Sequence, residues 1–260
     1  MILVMKRSSI MLGVLVVVLT ASILALNFGF GEKGAESSAE SGDIVPVAAT
    51  TPVPLPDTAV NNSDKTIVID AGHGGEDPGA VSSFSMAKEK DITLVIAQKT
   101  QKLLEDAGYK VIMTRTEDIL NYEGDNISMT SKRRQDLLQR KKIMDESNAD
   151  IVVSIHLNSF TDSSYSGAQT FYTKDSLSSK KLAISIQNSL REILDPENDR
   201  EALLKSEDII ITKNCKTTTT IVECGFLSNA EEEALLCEEA YQTKISEAIK
   251  AGIDGYFAAG

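Results

Sequence analysis

The stretch Thr66-Ile-Val-Ile-Asp-Ala-Gly-His-Gly-Gly75 decides the reading of the chain. Four β-branched residues, an aspartate and then a glycine-rich turn read as a buried strand that ends in a loop where backbone can come close to a ligand. Outward from it, short β-branched runs alternate with longer helical patterns, the signature of βα units around a largely parallel sheet. The further strand candidates are Tyr109–Arg115, Asp150–His156, Ala168–Tyr172, Asp208–Thr212 and Thr220–Cys224. Ile92, Val95, Ile96, Leu103 and Ala107 form an apolar stripe that predicts a helix, with Gly108 at its C-terminal cap, and Leu182, Ile186, Leu190 and Ile193 predict another. Ser228-Asn-Ala-Glu231 reads as a capping box opening a helix through Leu236, and Ile245–Phe257 as a closing helix. The expected fold is one α/β domain over residues 66–260, a central, mostly parallel twisted sheet of about six strands flanked by helices.

Ahead of that domain, Lys6 and Arg7 precede the apolar run Ile10–Leu26, a secretory signal or an uncleaved anchor. As a helix the run spans roughly 26 Å, slightly short of a ~30 Å hydrocarbon core, and Asn27–Phe30 can extend it. No clear A-x-A site follows, so residues 1–30 are read as an anchor that leaves Lys6 and Arg7 in the cytoplasm. Residues 31–65 hold Pro46, Pro52, Pro54 and Pro56 among Ser, Ala and Glu, and predict a semi-extended, disordered linker. The domain beyond it is expected to be extracytoplasmic, membrane-anchored or secreted.

A net charge of −12 repels phosphates, which excludes recognition of nucleic acid or anionic membrane by bulk attraction. Cys215, Cys224 and Cys237 are odd in number and contain no C-x-x-C, so they are read as packing residues, not a disulfide framework.

The chain has only two histidines, His73 in the opening stretch and His156 in Ser154-Ile-His-Leu-Asn158, and each falls at the end of a predicted strand. In open α/β sheets, ligands and catalytic groups gather outside the carboxyl ends of the strands, so both imidazoles are expected to face one cleft. Imidazole is the commonest protein ligand of zinc, and a catalytic zinc takes a third ligand and keeps a position for water. Glu89, at the start of the first helix, is either that ligand or a solvated carboxylate favoured at a helix N-terminus. Glu223 interrupts an apolar strand just before Gly225, and is either a buried, partnered acid or a catalytic one. Burial there would raise its proton affinity towards what a general base near neutral pH requires. The chemistry such a set supports is metal-assisted hydrolysis, with Glu223 removing a proton from water and returning it to a departing amine.

Gly72, Gly74 and Gly75 suit a loop approaching a metal, and lack the longer pattern of a phosphate cradle. Cys224 has no histidine beside it in sequence and is set aside as a nucleophile. Arg133, Arg134, Arg140, Lys141 and Lys142 give a basic helix read as a solvated face, and Tyr165, Phe171 and Tyr172 are read as core or loop packing.

In that order, DAGHGGEDPGAV, EKDITLVIA, SIHLNS, SGAQTFY and IVECGFLSN closely resemble the zinc-dependent N-acetylmuramoyl-L-alanine amidases of the Amidase_3 type, over Thr66 to Phe257. The resemblance implies that His73, Glu89 and His156 are Zn2+ ligands. It makes Glu223 the catalytic acid/base in hydrolysis of the amide between N-acetylmuramic acid and L-alanine of peptidoglycan. With Arg133–Arg140, SGAQTFY and a membrane-proximal N-terminus, the chain looks most like the CwlD-type sporulation members. That likeness implies action on spore cortex peptidoglycan, in the intermembrane or cortex space of the forespore. It also implies a pathway shared with a muramic acid deacetylase that forms muramic-δ-lactam, a mark recognised in germination, and in some spore formers a lipoprotein partner. Asn158 and Ser159 are expected to position substrate, although Asn158 can equally cap the loop after its strand. The chain departs from the family pattern at Lys216-Thr-Thr-Thr-Thr220, where members carry proline and apolar residues, and along the charged segment Asp195–Glu207. Three other readings stand beside this one: a vegetative cell-separation amidase, a zinc carboxypeptidase and a non-catalytic peptidoglycan-binding module.

Overall fold

Strand β1 (Thr66–Ala71) is buried from Ile67 onward, as a β-branched run covered on both faces must be. The computed structural model describes residues 62–205 and 209–259; the expected anchor and nearly all of the linker lie outside them. Among the described residues no helix is long and apolar enough to cross a membrane. After β1 come α1 (Glu89–Asp106), β2 (Lys110–Met113), α2 (Met129–Glu146), β3 (Ile151–Asn158), β4 (Gln169–Tyr172) and α3 (Leu177–Leu194). Then follow β5 (Leu203–Leu204), β6 (Thr218–Phe226), α4 (Ala230–Leu236) and α5 (Glu239–Ala258). The six strands form one sheet in the order β2-β1-β3-β6-β4-β5, parallel throughout except where β4 runs antiparallel to β6. The expected fold class is thus observed.

The two faces of the sheet do different work. On one, Ile67, Ile69, Ile151, Val153, Ile155 and Val222 pack against Ile92, Ile96 and Leu104 of α1, Leu182, Ile186 and Leu190 of α3, and Ile245, Ile249 and Ile253 of α5. Burying each such side chain contributes about 1.5–3 kcal/mol, so this layer carries most of the stabilisation. The other face has a small cluster, Val68, Val152, Ile221 and Ile211 with Met144 of α2. Side chains alternate along a strand, and the register pairs Asp70 with Ser154 and His156 with Glu223. These four polar residues therefore share the lightly covered face, towards the carboxyl ends of β1, β3 and β6.

Several expectations shift. Leu104, not Leu103, completes the buried stripe of α1, and Ile193 is exposed. Gly108 follows the Ala107 cap with φ 91°, as a C-terminal glycine should. Asn229, not Ser228, caps α4 by accepting from Glu231 N and Glu232 N, while Ser228 Oγ accepts from Phe160 N at 3.0 Å. Ile209–Thr212 is not a strand. It is a turn closed by Thr212 N and Lys213 N on Ile209 O, and it drops Ile211 into the small cluster. The edge position goes to Leu203–Leu204, paired with β4. All three cysteines are free, and burial pushes the Cys224 thiol well above its ordinary range, as suits a packed residue.

Candidate metal centre

At the end of β1 the chain turns over β3, with Gly72 N donating to Ile155 O at 3.0 Å. A side-chain carbon at Gly72 would overlap the His156 ring, so only glycine lets the two segments meet. The next residue, His73, sits at φ 62°, a region uncommon for residues other than glycine. Arg140 holds it there: its Nη2 donates to His73 O at 2.5 Å and its Nη1 to Ala71 O. Arg140 also meets Asp70 at 3.0 Å and Asp136 at 2.6 Å, all three being almost wholly buried. Asp70 accepts further from Thr114 Oγ1 and Ser154 Oγ, both at 2.6 Å. Burial alone would raise the Asp70 proton affinity; the Arg140 and His156 charges and the two hydroxyls overcome it and keep the group ionised.

Glu89 opens α1 and turns its carboxylate inward, only 3% exposed. Oε1 lies 2.9 Å from His156 Nδ1 and Oε2 3.2 Å from His73 Nε2, while Ala80 N and Leu157 N donate at 2.8 and 3.0 Å. The His73 and His156 rings meet edge to face with centroids 5.0 Å apart. One ligand atom from each of His73, Glu89 and His156 lies within 4.8 Å of the others. Two imidazoles and one buried carboxylate converging this way fit the three-ligand set of a catalytic zinc. Beside them opens a cleft of about 320 Å³, lined by His73, His156, Asp77 and Arg133 among others.

The electrostatics agree with a cation at this point. Burial would raise the Glu89 proton affinity, but hydrogen bonds and charge from His156 and His73 hold it far below the usual carboxylate range. Burial would push His73 down, yet its hydrogen bonds to Asp77 and Glu89 lift it to about 9. Asp77 Oδ2 is 2.9 Å from His73 Nδ1, and Asp77 Oδ1 is 2.6 Å from Arg133 Nη2. That outer carboxylate fixes the imidazole so that Nε2 faces Glu89.

Glu223 stands opposite His156 in the β3–β6 register, buried at 9% exposure, with Lys205 Nζ 3.3 Å from its Oε1. Of the sequence candidates, the fold therefore brings His73, Glu89 and His156 into one cluster and sets Glu223 on the adjacent strand. Asn158 caps the turn, its Oδ1 accepting from Ser159 N at 2.9 Å, and Ser159 is exposed. Arg140 corrects the reading of the basic helix as a solvated face: it is 2% exposed, because an ionised Asp70 beneath α2 demands a partner. Asp77 was not anticipated, although its place four residues after His73 was a usable signal.

A family model described as N-acetylmuramoyl-L-alanine amidase matches residues 67–255. The chain belongs to the N-acetylmuramoyl-L-alanine amidase family. Its similarity to the germination-specific amidase of Bacillus subtilis strain 168 is 38% identity over 196 residues, covering 75% of this chain and 81% of the relative. Among solved structures, the amidase is similar to the CwlD amidase from Clostridioides difficile, described in complex with the GerS lipoprotein. That match has TM-score 0.74 and 44% identity, and covers 76% of this chain and all of the other. The catalytic domain of the amidase CwlV from Bacillus (Paenibacillus) polymyxa matches at TM-score 0.61 and 29% identity, over 75% of this chain and 99% of that one. The amidase is a hydrolase of peptidoglycan, and His73, Glu89 and His156 are its candidate metal site.

Proposed function

We propose that this amidase uses a zinc ion held by His73, Glu89 and His156, with Glu223 as its acid/base, to release stem peptides from spore cortex peptidoglycan. The observation that carries the reading is the convergence of two imidazoles and a buried, ionised carboxylate, with a second carboxylate register-paired to His156. When bound, the metal supplies Lewis-acid polarisation of the lactyl carbonyl and activation of water. Glu223 accepts a proton from the water that attacks the lactyl carbon and delivers it to the alanine nitrogen as the amide breaks. Asp77 keeps His73 in the orientation that presents Nε2, and Glu89 remains ionised throughout. Substrate contact is assigned to the exposed Ser159 and to the amide of Asn158, whose Oδ1 also closes the turn.

The cortex role draws on the named function of the Bacillus subtilis relative, and a lipoprotein partner on the complex formed by the Clostridioides difficile relative. On this reading the enzyme acts outside the cytoplasm, in a pathway with a muramic acid deacetylase, and residues 1–30 are its anchor or signal. In digests of cortex peptidoglycan, Glu223→Gln should lower turnover by about 10²–10⁴-fold while retaining stoichiometric zinc. Full turnover by that variant would remove Glu223 from its role, and loss of zinc would show that the carboxylate binds metal instead.

A further inference from the structure

Strand β5 is an odd element. It has two residues, Leu203 and Leu204, and both are about half exposed, so it adds little to the core. What it does is deliver the next residue: Lys205 N donates to Tyr172 O at 2.9 Å, which fixes the Lys205 backbone to the edge of the sheet. From there the side chain crosses the face of Phe171, its Nζ 4.3 Å from the ring centroid, and reaches Glu223 Oε1 at 3.3 Å. Gln169, the β4 residue in register with Glu223, does not compete. Its Nε2 donates to Glu201 O at 3.0 Å and its Oε1 accepts from Arg200 Nη1 at 3.1 Å. The backbone is thus fixed to the strand edge, and the ammonium lies between ring face and carboxylate.

We infer that Lys205 is a positioning residue for catalysis: it anchors one oxygen of Glu223 so that the other is presented to the reacting water and amine. This rests on the reading of Glu223 as the acid/base. An acid/base carboxylate works only within hydrogen-bond reach of the proton it moves, and small misplacements are costly. An isolated pair near the surface contributes little to folding. This pair is four-fifths buried on the lysine and more on the glutamate, and it joins a peripheral strand to the reacting face. Its function is therefore orientation.

The test uses the full-length protein and release of stem peptides from cortex peptidoglycan, with kcat and KM measured separately. Lys205→Met keeps the aliphatic stem over Phe171 and removes the charge. The expected result is a kcat about tenfold lower or less, KM within about twofold, and unchanged zinc content and melting temperature. Lys205→Arg should recover kcat to within about threefold of the parent. In a Glu223→Gln background, Lys205→Met should cost nothing further, since the two act as a unit. A raised KM with unchanged kcat, an equal loss in both backgrounds, or a melting-temperature loss that arginine does not restore would each overturn the inference. Parent-like kcat in Lys205→Met, with Glu223→Gln inactive, overturns the inference alone. Full activity of Glu223→Gln overturns the acid/base reading itself.

Discussion

Metal binding by this protein should be a titration of His73. Because Asp77 and Glu89 raise the imidazole to about 9, at pH 7 nearly every metal-free molecule carries a proton where the ion must bind. The proton is present in the free protein and absent from the complex, so affinity rises with pH up to about 9 and levels off above it. Two pH units at about 1.4 kcal/mol each give roughly 3 kcal/mol, or about 100-fold weaker binding at pH 7 than on the plateau. Glu89 stays ionised over this whole range, so it contributes no second proton. The assay is competition for zinc against a chelator of known pH dependence between pH 6.5 and 9.5, with calorimetry in buffers of different ionisation enthalpy to count protons. One proton should be released near pH 7. Asp77→Asn should move the break down towards the ordinary histidine value of 6.5 and lower the plateau affinity by about 10–100-fold, since the ring loses its orienting partner. An affinity independent of pH over this range would refute the reasoning, as would an Asp77→Asn profile that breaks where the parent does.

Three other outcomes follow from the same geometry. Arg140→Met should destabilise the protein by about 3–5 kcal/mol in urea denaturation, because Asp70 and Asp136 are left buried without their partner. Gly72→Ala should reduce zinc content and cost about 1–3 kcal/mol, since the new methyl meets the His156 ring; undiminished metal loading would show that the ring has room to move. Without metal, the raised His73 favours the fold below pH 6.5 and this contribution is lost as pH climbs through about 9. The melting temperature of the metal-free protein should therefore fall over that interval, while the zinc-loaded protein shows no such fall.

The parallel sheet and the candidate metal-site cluster of His73, Glu89 and His156 were legible in the sequence because each rests on a local pattern. Thr66–Asp70 and Thr220–Cys224 are β-branched runs that lie within observed strands, Asp150–His156 does so from Ile151 onward, and both histidines fall near strand ends. Ile209–Thr212 misled because the same β-branched composition serves a turn when its side chains have a cluster to fill. Arg140 was lost among its basic neighbours. Its burial is set by Asp70, seventy residues away, and the only local signal was Asp136 one helical turn earlier. Lys205 left no signal at all: its approach to Glu223 depends on β4 lying antiparallel between β6 and β5, a crossover that the residues around position 205 do not encode. Asn158, near the candidate site, closes its own turn through Oδ1, one of the two roles its place in the sequence allowed.

The central claim is hydrolysis of one amide by one metal site, and digestion of cortex peptidoglycan in ¹⁸O-enriched water tests it most directly. The zinc-loaded protein should release stem peptides with a free alanine amine and no heavy oxygen, and place a single ¹⁸O in the lactyl carboxylate left on muramic acid. Removing the metal, or changing Glu223 to Gln, should abolish both products together. Label in the carboxyl group of a shortened peptide would make the enzyme a carboxypeptidase, and labelled lactyl carboxylate formed equally without metal would contradict the site assigned to His73, Glu89 and His156.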